Sequence, residues 1–191
     1  DFTTNEFAPP ANDLCDNATV LACGDTDTSS IQYATTFGNP MEGVCGVEWQ
    51  LMDINTIWYQ FEGTGQEMNV STCGSNTNNG GSFYAELFVF SGSCDALECE
   101  AVSSYQSDPD CPGAPFGSTN VSFYGEVGTT YYVGLSATGT FYTNNSETII
   151  TLDCIDCSTP TNPTATVTDV TANISWTSFN QDVDYTLTYD S

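Results

Sequence analysis

The chain of 191 residues contains no lysine, no arginine and no histidine, although it carries 25 aspartates and glutamates. Without histidine, neither a Ser-His-Asp or Cys-His catalytic centre nor an imidazole metal site can form. Without lysine, there can be no Schiff base and no Lys-Asn isopeptide cross-link. Because no side chain can neutralise phosphate, we expect no nucleic-acid binding. These absences favour a binding or structural protein over an enzyme.

The formal charge of −25 has no counter-charge on any side chain of the chain. Every carboxylate must therefore be solvated, hydrogen-bonded or bound to a cation, and the mutual repulsion disfavours the compact state. A salt-adapted acidic surface and a specific cation site both fit this composition. No apolar run approaches the roughly 20 residues of a membrane helix, so we expect no membrane insertion. No signal peptide is visible and the first residue is Asp1, which is typical of a mature, processed product.

The nine cysteines are scattered through a chain rich in Gly, Ser, Thr and Asn. Only Cys154 and Cys157 have the CxxC spacing of a zinc site, and that pair stands alone. The pattern indicates an exported disulfide framework and hence an extracellular or cell-surface protein. Because nine is an odd number, one thiol is unpaired or bonded outside the chain. The cysteines are Cys15, Cys23, Cys45, Cys73, Cys94, Cys99, Cys111, Cys154 and Cys157.

Short segments with β-branched and aromatic residues alternate with turn clusters, and no helical periodicity is present. This pattern predicts an all-β protein with a jelly-roll-like β-sandwich. We divide the chain into an extended N-terminal arm (1–11), a sandwich (12–157) and a C-terminal part (158–191) that begins with a Pro/Thr linker. The predicted strands of the sandwich are 18–21, 31–35, 56–61, 68–72, 83–90, 121–123, 130–135 and 148–152.

The C-terminal part has three further predicted strands, 165–170, 172–177 and 185–189. Prolines followed by Ile174-Ser175-Trp176 and then Tyr185-x-Leu187-x-Tyr189 resemble the opening of a fibronectin type III domain. Since that fold needs about seven strands and about 100 residues, the 34 residues from 158 to 191 make an incomplete sandwich.

Five motifs between residues 8 and 154 resemble the pre-peptidase C-terminal-type (PPC-like) β-sandwich of bacterial secreted proteins. In chain order they are NDLCDNA (12–18), WYQF (58–61), LFVFSGSC (87–94), SDPDC (107–111) and GTTYYV (128–133). The resemblance implies a non-catalytic module of a bacterial surface or secreted protein, with a role in adhesion, stabilisation or contact with carbohydrate or matrix.

The same resemblance implies a calcium ion between the N-terminal acidic segment and the acidic loop. The implied ligands are Asn12, Asp13, Asp108 and Asp110, with Glu6 as a weaker candidate; the alternative is that these side chains only cap turns. The resemblance also implies disulfides Cys15–Cys23, Cys45–Cys73 and Cys94–Cys99, with Cys111 bonded to Cys154 or Cys157.

Five sequons predict N-glycosylation if the source has the machinery, at Asn17, Asn69, Asn120, Asn144 and Asn173. Trp58 and Trp176 lie inside predicted strands, so we expect core positions for them and not sugar-stacking platforms. Asp25 and Asp27 resemble a glycosidase carboxylate pair only in spacing, because nothing in the sequence places them in a cleft.

Two functional hypotheses follow. In the first, the chain is a self-assembling extracellular fibre or pilus-like subunit. The arm, with Phe2, Thr4 and Phe7 as contact residues, would complete a sheet of the next copy, giving a head-to-tail homopolymer. In the second, it is an adhesion or carbohydrate- or matrix-binding module cut from a larger surface protein. Neither hypothesis needs an organic cofactor, and Ca²⁺ is the one cofactor predicted for either; glycans or matrix are the predicted partners of the second.

Overall fold

The computed structural model describes residues 8–35, 45, 55–77, 84–103, 118–138, 146–155, 161–167 and 172–177. The chain divides into two compact units, Asp1–Cys154 and Ile155–Ser191. The described residues are all-β apart from one 3-10 turn at Cys15–Asn17, which confirms the predicted fold class. In this part of the chain no helix is long and apolar enough to cross a bilayer.

Twelve strands follow one another in the described residues. They are β1 Thr19–Val20, β2 Thr26–Ser29, β3 Thr56–Glu62, β4 Gln66–Ser71, β5 Asn76–Thr77, β6 Tyr84–Ser93, β7 Ala96–Val102, β8 Asn120–Gly125, β9 Thr130–Thr138, β10 Ser146–Ile155, β11 Thr161–Val167 and β12 Ala172–Thr177.

Two sheets make up the first unit. One has the order β1-β3-β9-β6-β7, in which the β1–β3 pair is parallel and the others are antiparallel. The other has the order β2-β10-β4-β8, with β5 paired to β10. Strands distant in sequence thus lie side by side, as in a β-sandwich.

The core between the sheets is built from alternate residues of each strand, because successive side chains of a strand point to opposite faces. From β3 of the five-stranded sheet come Ile57, Tyr59 and Phe61, and from β4 and β10 of the other sheet come Met68, Val70, Ile150 and Leu152. All of these are buried. Their packing against one another holds the two sheets face to face.

The five-stranded sheet is buried on its outer face as well. Trp58, Phe88 and Phe90 point away from the inter-sheet core and pack together with Cys15. The Trp58 ring centroid is 6.1 Å from that of Phe90. Because β3 is buried on both faces, most of its residues are apolar or aromatic. The burial of Trp58 on the outer face confirms its predicted core position.

Two predictions of local structure are wrong. Residues 31–35, predicted as a strand, form a turn in which the Ala34 N–H donates to the Ile31 carbonyl; both side chains still reach the core because the turn carries them inward. Thr26 and Asp27, predicted as part of a turn, lie instead in β2, which pairs with β10. Propensity was overridden here by a partner strand more than a hundred residues away.

The disulfides also differ from the implied pairing. The structure contains Cys15–Cys94, Cys23–Cys154 and Cys45–Cys99, with Cα–Cα separations of 5.7, 5.3 and 5.2 Å. The implied pairs Cys15–Cys23, Cys45–Cys73 and Cys94–Cys99 and the Cys111–Cys154 alternative are therefore wrong. Cys94 and Cys99 fail because the β6–β7 register sets Cys99 opposite Phe90, away from Cys94.

Cys73 is also disulfide-bonded, to a partner outside the described residues. Cys111 and Cys157 lie outside them too. Because the other six cysteines pair among themselves, the partner of Cys73 is Cys111 or Cys157, so the implied Cys111–Cys157 pair is wrong as well. The unpaired ninth thiol stays a prediction.

The described part of the second unit is the antiparallel pair β11–β12, in a register that sets Ala165 opposite Ile174. Two of the three strands predicted there are therefore present, with β11 beginning four residues earlier than expected. The third predicted strand, 185–189, and the side chain of Trp176 lie outside the description.

Candidate functional site

An incompletely covered edge of the five-stranded sheet is the first feature of functional interest. β1 is only two residues long and pairs with Tyr59 and Gln60 of β3. Just after it, the Leu21 N–H donates to the Gln60 carbonyl at 2.9 Å. β3 continues to Glu62, and no described strand lies beside these last residues on that edge. Such an edge offers backbone groups to a further strand.

A groove of about 480 Å³ lies beside this edge, and we call it the edge groove. Its volume is within the range of small-ligand sites. The floor contains core side chains from both sheets, chiefly Leu21, Phe61 and Leu152. Val20 stands at the margin with 68 % of its surface exposed, although it belongs to a strand. The full lining is Val20, Leu21, Ala22, Cys23, Gln60, Phe61, Glu62, Thr64, Thr130, Tyr132 and Leu152.

Polar groups line the other side of the edge groove. The Thr130 hydroxyl donates to Glu62 Oε1 at 2.7 Å, across the β3–β9 pair. Gln60 and the half-buried Tyr132 are register partners in the next row of the same two strands. The groove therefore combines an apolar floor, one aromatic ring and a carboxylate, which is a lining able to hold a strand or a small polar ligand.

A hydrogen-bonded cluster of Tyr59, Asp27 and Ser29 links the two sheets. The Tyr59 hydroxyl donates to Asp27 Oδ2 at 3.0 Å, and the Ser29 hydroxyl donates to the same oxygen at 2.7 Å. Burial, and then the charge of Asp27, raise the pKa of Tyr59 well above the usual tyrosine range. Asp27 is thus used structurally, and Asp25 accepts from the Ala22 N–H at 2.8 Å within a turn.

Two of the predicted calcium ligands lie in the described residues, and both are buried. Asn12 Nδ2 donates to the Trp58 carbonyl at 3.1 Å, while both carboxylate oxygens of Asp13 accept from Thr35. These contacts tie the N-terminal segment to β3 and to the turn at 31–35. Glu6, Asp108 and Asp110 lie outside the described residues, so calcium at this position stays a prediction.

The predicted glycosylation sites differ in exposure where they are described. Asn17 is exposed, whereas Asn69 and Asn120 are half-buried and lie on the paired strands β4 and β8. Asn69 Nδ2, the atom to which a glycan would be attached, donates to Ser122 Oγ at 2.9 Å. Asn144, the side chain of Asn173 and the predicted contact residues Phe2, Thr4 and Phe7 lie outside the description.

Glu86 is a site residue that sequence reasoning missed. It lies on β6, faces the outer side of the five-stranded sheet and is only 3 % exposed. Burial raises its pKa above the usual glutamate range. A signal was available: Glu86 is the one charged residue in the otherwise apolar run of residues 83–90.

Comparison with known proteins finds no matching family model, no matching curated protein and no matching solved structure. The resemblances to PPC-like and fibronectin type III domains therefore stay predictions.

Proposed function

We propose that this chain is a non-catalytic extracellular structural protein, a fibre or pilus-like subunit that polymerises by strand donation between neighbours. The observation that supports it best is the edge groove: a two-residue edge strand that stops before β3 does, next to an apolar floor. An incoming extended segment would pair with the uncovered edge and set alternate side chains on that floor.

The donor is the N-terminal arm of a neighbouring copy, with Phe2 and Phe7 as its apolar side chains and Thr4 between them. Because donor and acceptor are different surfaces, the contact is head-to-tail, and it propagates as a filament when the rotation between neighbours does not close a ring. The disulfides support an oxidising, extracellular setting. The lack of Lys and Arg would leave such a fibre without trypsin cleavage sites.

Electron microscopy of the purified chain tests the proposal through matched variants. Val20→Asp places a charge at the margin of the edge groove, whereas Val127→Asp makes the same change at an equally exposed valine (78 %) outside the groove lining. We expect filaments from the native chain and from Val127→Asp, and none from Val20→Asp or from a chain lacking residues 1–7. Monodisperse particles from the native chain would rule out self-assembly.

A second candidate function, an adhesion or carbohydrate-binding module of a larger surface protein, is favoured by the polar side of the same groove. Tyr132 offers an aromatic ring next to Gln60, and Glu62 and Thr130 offer hydrogen-bonding groups. Without any cationic residue the groove would select neutral over sulfated or uronic glycans. Glycan-array binding that Glu62→Gln and Tyr132→Ala abolish, from a chain that forms no filaments, would favour this candidate.

A further inference from the structure

Strand β8 is the described edge strand of the first unit that lacks the usual protection against pairing with another chain. Natural edge strands are kept short or carry charged side chains. Among the other edges, β1 and β5 have two residues each, β2 has four residues and includes Asp27, and β7 carries the exposed Glu98 and Glu100. β8 runs for six residues, Asn120–Gly125, none of them charged, and in the described part of the chain it pairs on one side only, with β4.

The register of β4 and β8 shows which backbone groups of β8 point to its open side. The Thr72 N–H donates to the Thr119 carbonyl at 2.9 Å, so residues 119, 121, 123 and 125 face β4. The N–H and C=O groups of the alternate residues Ser122 and Tyr124 therefore point the other way, where none of the described strands lies. An extended segment of another polypeptide can pair with these groups.

The side chain of Tyr124 lies exposed beside this open edge. Although Tyr124 belongs to a strand, 64 % of its surface is exposed. Its hydroxyl donates to the Gly65 carbonyl at 2.9 Å, which holds the ring at the end away from its Cβ. Exposed aromatic side chains with restricted motion are good binding anchors, because they offer a large contact area and lose little conformational entropy on binding.

The charges around Tyr124 indicate the chemistry of the partner. The exposed Glu67 is its cross-strand neighbour in a non-hydrogen-bonded pair, the type of pair in which side chains lie closest. The exposed Glu126 follows two residues later, and no side chain of this chain can supply either carboxylate with a counter-charge. An arginine fits this position, because its guanidinium stacks on an aromatic ring and also pairs with a carboxylate.

We propose that the open edge of β8 binds an extended, arginine-containing segment of a different polypeptide, with one arginine stacked on Tyr124 and paired with Glu67. A second copy of this chain cannot supply that arginine, since the chain has no cationic side chain and a formal charge of −25. The same charge attracts a cationic partner and repels another copy. The edge groove follows β3 of the other sheet, so the β8 edge is a separate site and does not depend on the proposed function.

Peptide binding to the purified chain tests the site. The probe is a fluorescein-labelled octapeptide of alternating arginine and threonine, followed by fluorescence anisotropy at about 0.15 M salt. Glu67→Gln removes the carboxylate beside Tyr124, and Glu98→Gln on β7 is the control with the same change in net charge at another exposed glutamate. We expect Glu67→Gln to weaken binding about fivefold, Tyr124→Ala about tenfold and Glu98→Gln less than about twofold.

Three results of this experiment would overturn the proposal. Equal losses in Glu67→Gln and Glu98→Gln would mean that the peptide responds only to the total charge of the chain. Equal binding of the matching peptide of alternating glutamate and threonine would mean that the edge does not select a cationic segment. The third is a wild-type chain that binds neither peptide.

Backbone hydrogen exchange, measured by NMR, reports the strand pairing itself. In the free chain the amides of Val121 and Phe123, which face β4, should exchange slowly, and those of Ser122 and Tyr124 should exchange fast. Saturating arginine–threonine peptide should slow exchange at Ser122 and Tyr124 about tenfold. Ser122→Pro removes an N–H of the open edge and none of the β4 ladder, so it should weaken peptide binding about tenfold while Val121 and Phe123 stay protected. Unchanged exchange at Ser122 and Tyr124 in the peptide-saturated chain would overturn the proposal.

Discussion

The Tyr59 hydroxyl donates to Asp27 Oδ2 at 3.0 Å, so one hydrogen bond joins a central strand of one sheet to the edge strand of the other. Tyr59→Phe removes this bond and leaves Asp27 with the hydroxyl of Ser29 as a partner. We expect the free energy of unfolding to fall by about 1 kcal/mol, measured by urea denaturation. The control is Tyr124→Phe, which removes a hydrogen bond from an exposed hydroxyl to the Gly65 carbonyl and should change the free energy of unfolding little, because water can replace that bond.

The same pair predicts the alkaline titration of the folded protein. Because burial and the charge of Asp27 raise the pKa of Tyr59, this tyrosine should stay protonated when exposed tyrosines have ionised, near about pH 11. Tyr59→Phe should therefore leave the tyrosinate absorbance change of the folded protein unaltered, whereas in the urea-unfolded protein the same substitution should reduce it by one tyrosine's share. A reduction already in the folded protein would contradict the assignment.

Glu86 predicts a pH dependence of stability in metal-free buffer. Its pKa is raised in the folded state above the ordinary 4.5, so folding favours its protonated form. The stabilisation of the folded protein by protonation of Glu86 is fully present below pH 4.5, and it is lost as the pH rises through the folded-state pKa. Glu86→Gln should therefore exceed wild type in free energy of unfolding by about 1–3 kcal/mol at pH 7, and by less at pH 4. Urea denaturation at the two pH values checks this, and a constant difference would contradict it.

The disulfides should differ in their contribution to stability. Cys23–Cys154 closes a loop with a sequence separation of 131 residues, whereas Cys45–Cys99 closes one of 54. Replacing both cysteines of a bridge by serine should cost about 3–5 kcal/mol for Cys23–Cys154 and somewhat less for Cys45–Cys99. Urea denaturation of the two double variants gives the order; the reverse order would mean that loop entropy does not dominate.

Gly92, in the β6–β7 hairpin, occupies a position where a side chain would clash with the backbone. It has φ +98°, and a Cβ there would lie 2.3 Å from the Ala96 carbonyl oxygen. Gly128 has φ +79° with nothing within 4 Å of such a Cβ. Gly128→Ala therefore measures the cost of the backbone conformation without a steric clash. Gly92→Ala should destabilise the fold by about 2–4 kcal/mol and Gly128→Ala by about 1 kcal/mol. Equal losses in thermal unfolding would show that the hairpin relaxes.

Strands with strong apolar or aromatic content could be predicted from the sequence. β3 and β9 carry residues such as Ile57, Trp58 and Val133 at almost every buried position, so propensity and burial agree. β7 could not be predicted, because its residues from Ala96 to Val102 are mostly exposed and give no alternation. Its strand conformation comes from pairing with β6, which is information from outside the segment.

The candidate sites were harder to predict than the strands. The edge groove combines residues from 20–23, 60–64, 130–132 and 152, and only the topology brings these together. The cysteine pairing failed for the same reason, since each bridge joins segments that are adjacent only in the folded sheets.

The Cys23–Cys154 bridge has a mechanical consequence. It joins a residue just after β1 directly to a residue near the end of β10, the last strand of the first unit. Tension applied along the chain from residues before Cys23 to residues after Cys154 would pass through the sulfur atoms, so residues 24–153 could not be drawn out into an extended chain unless a covalent bond breaks. When the pull begins before Cys15, the Cys15–Cys94 bridge would carry part of the load to the end of β6.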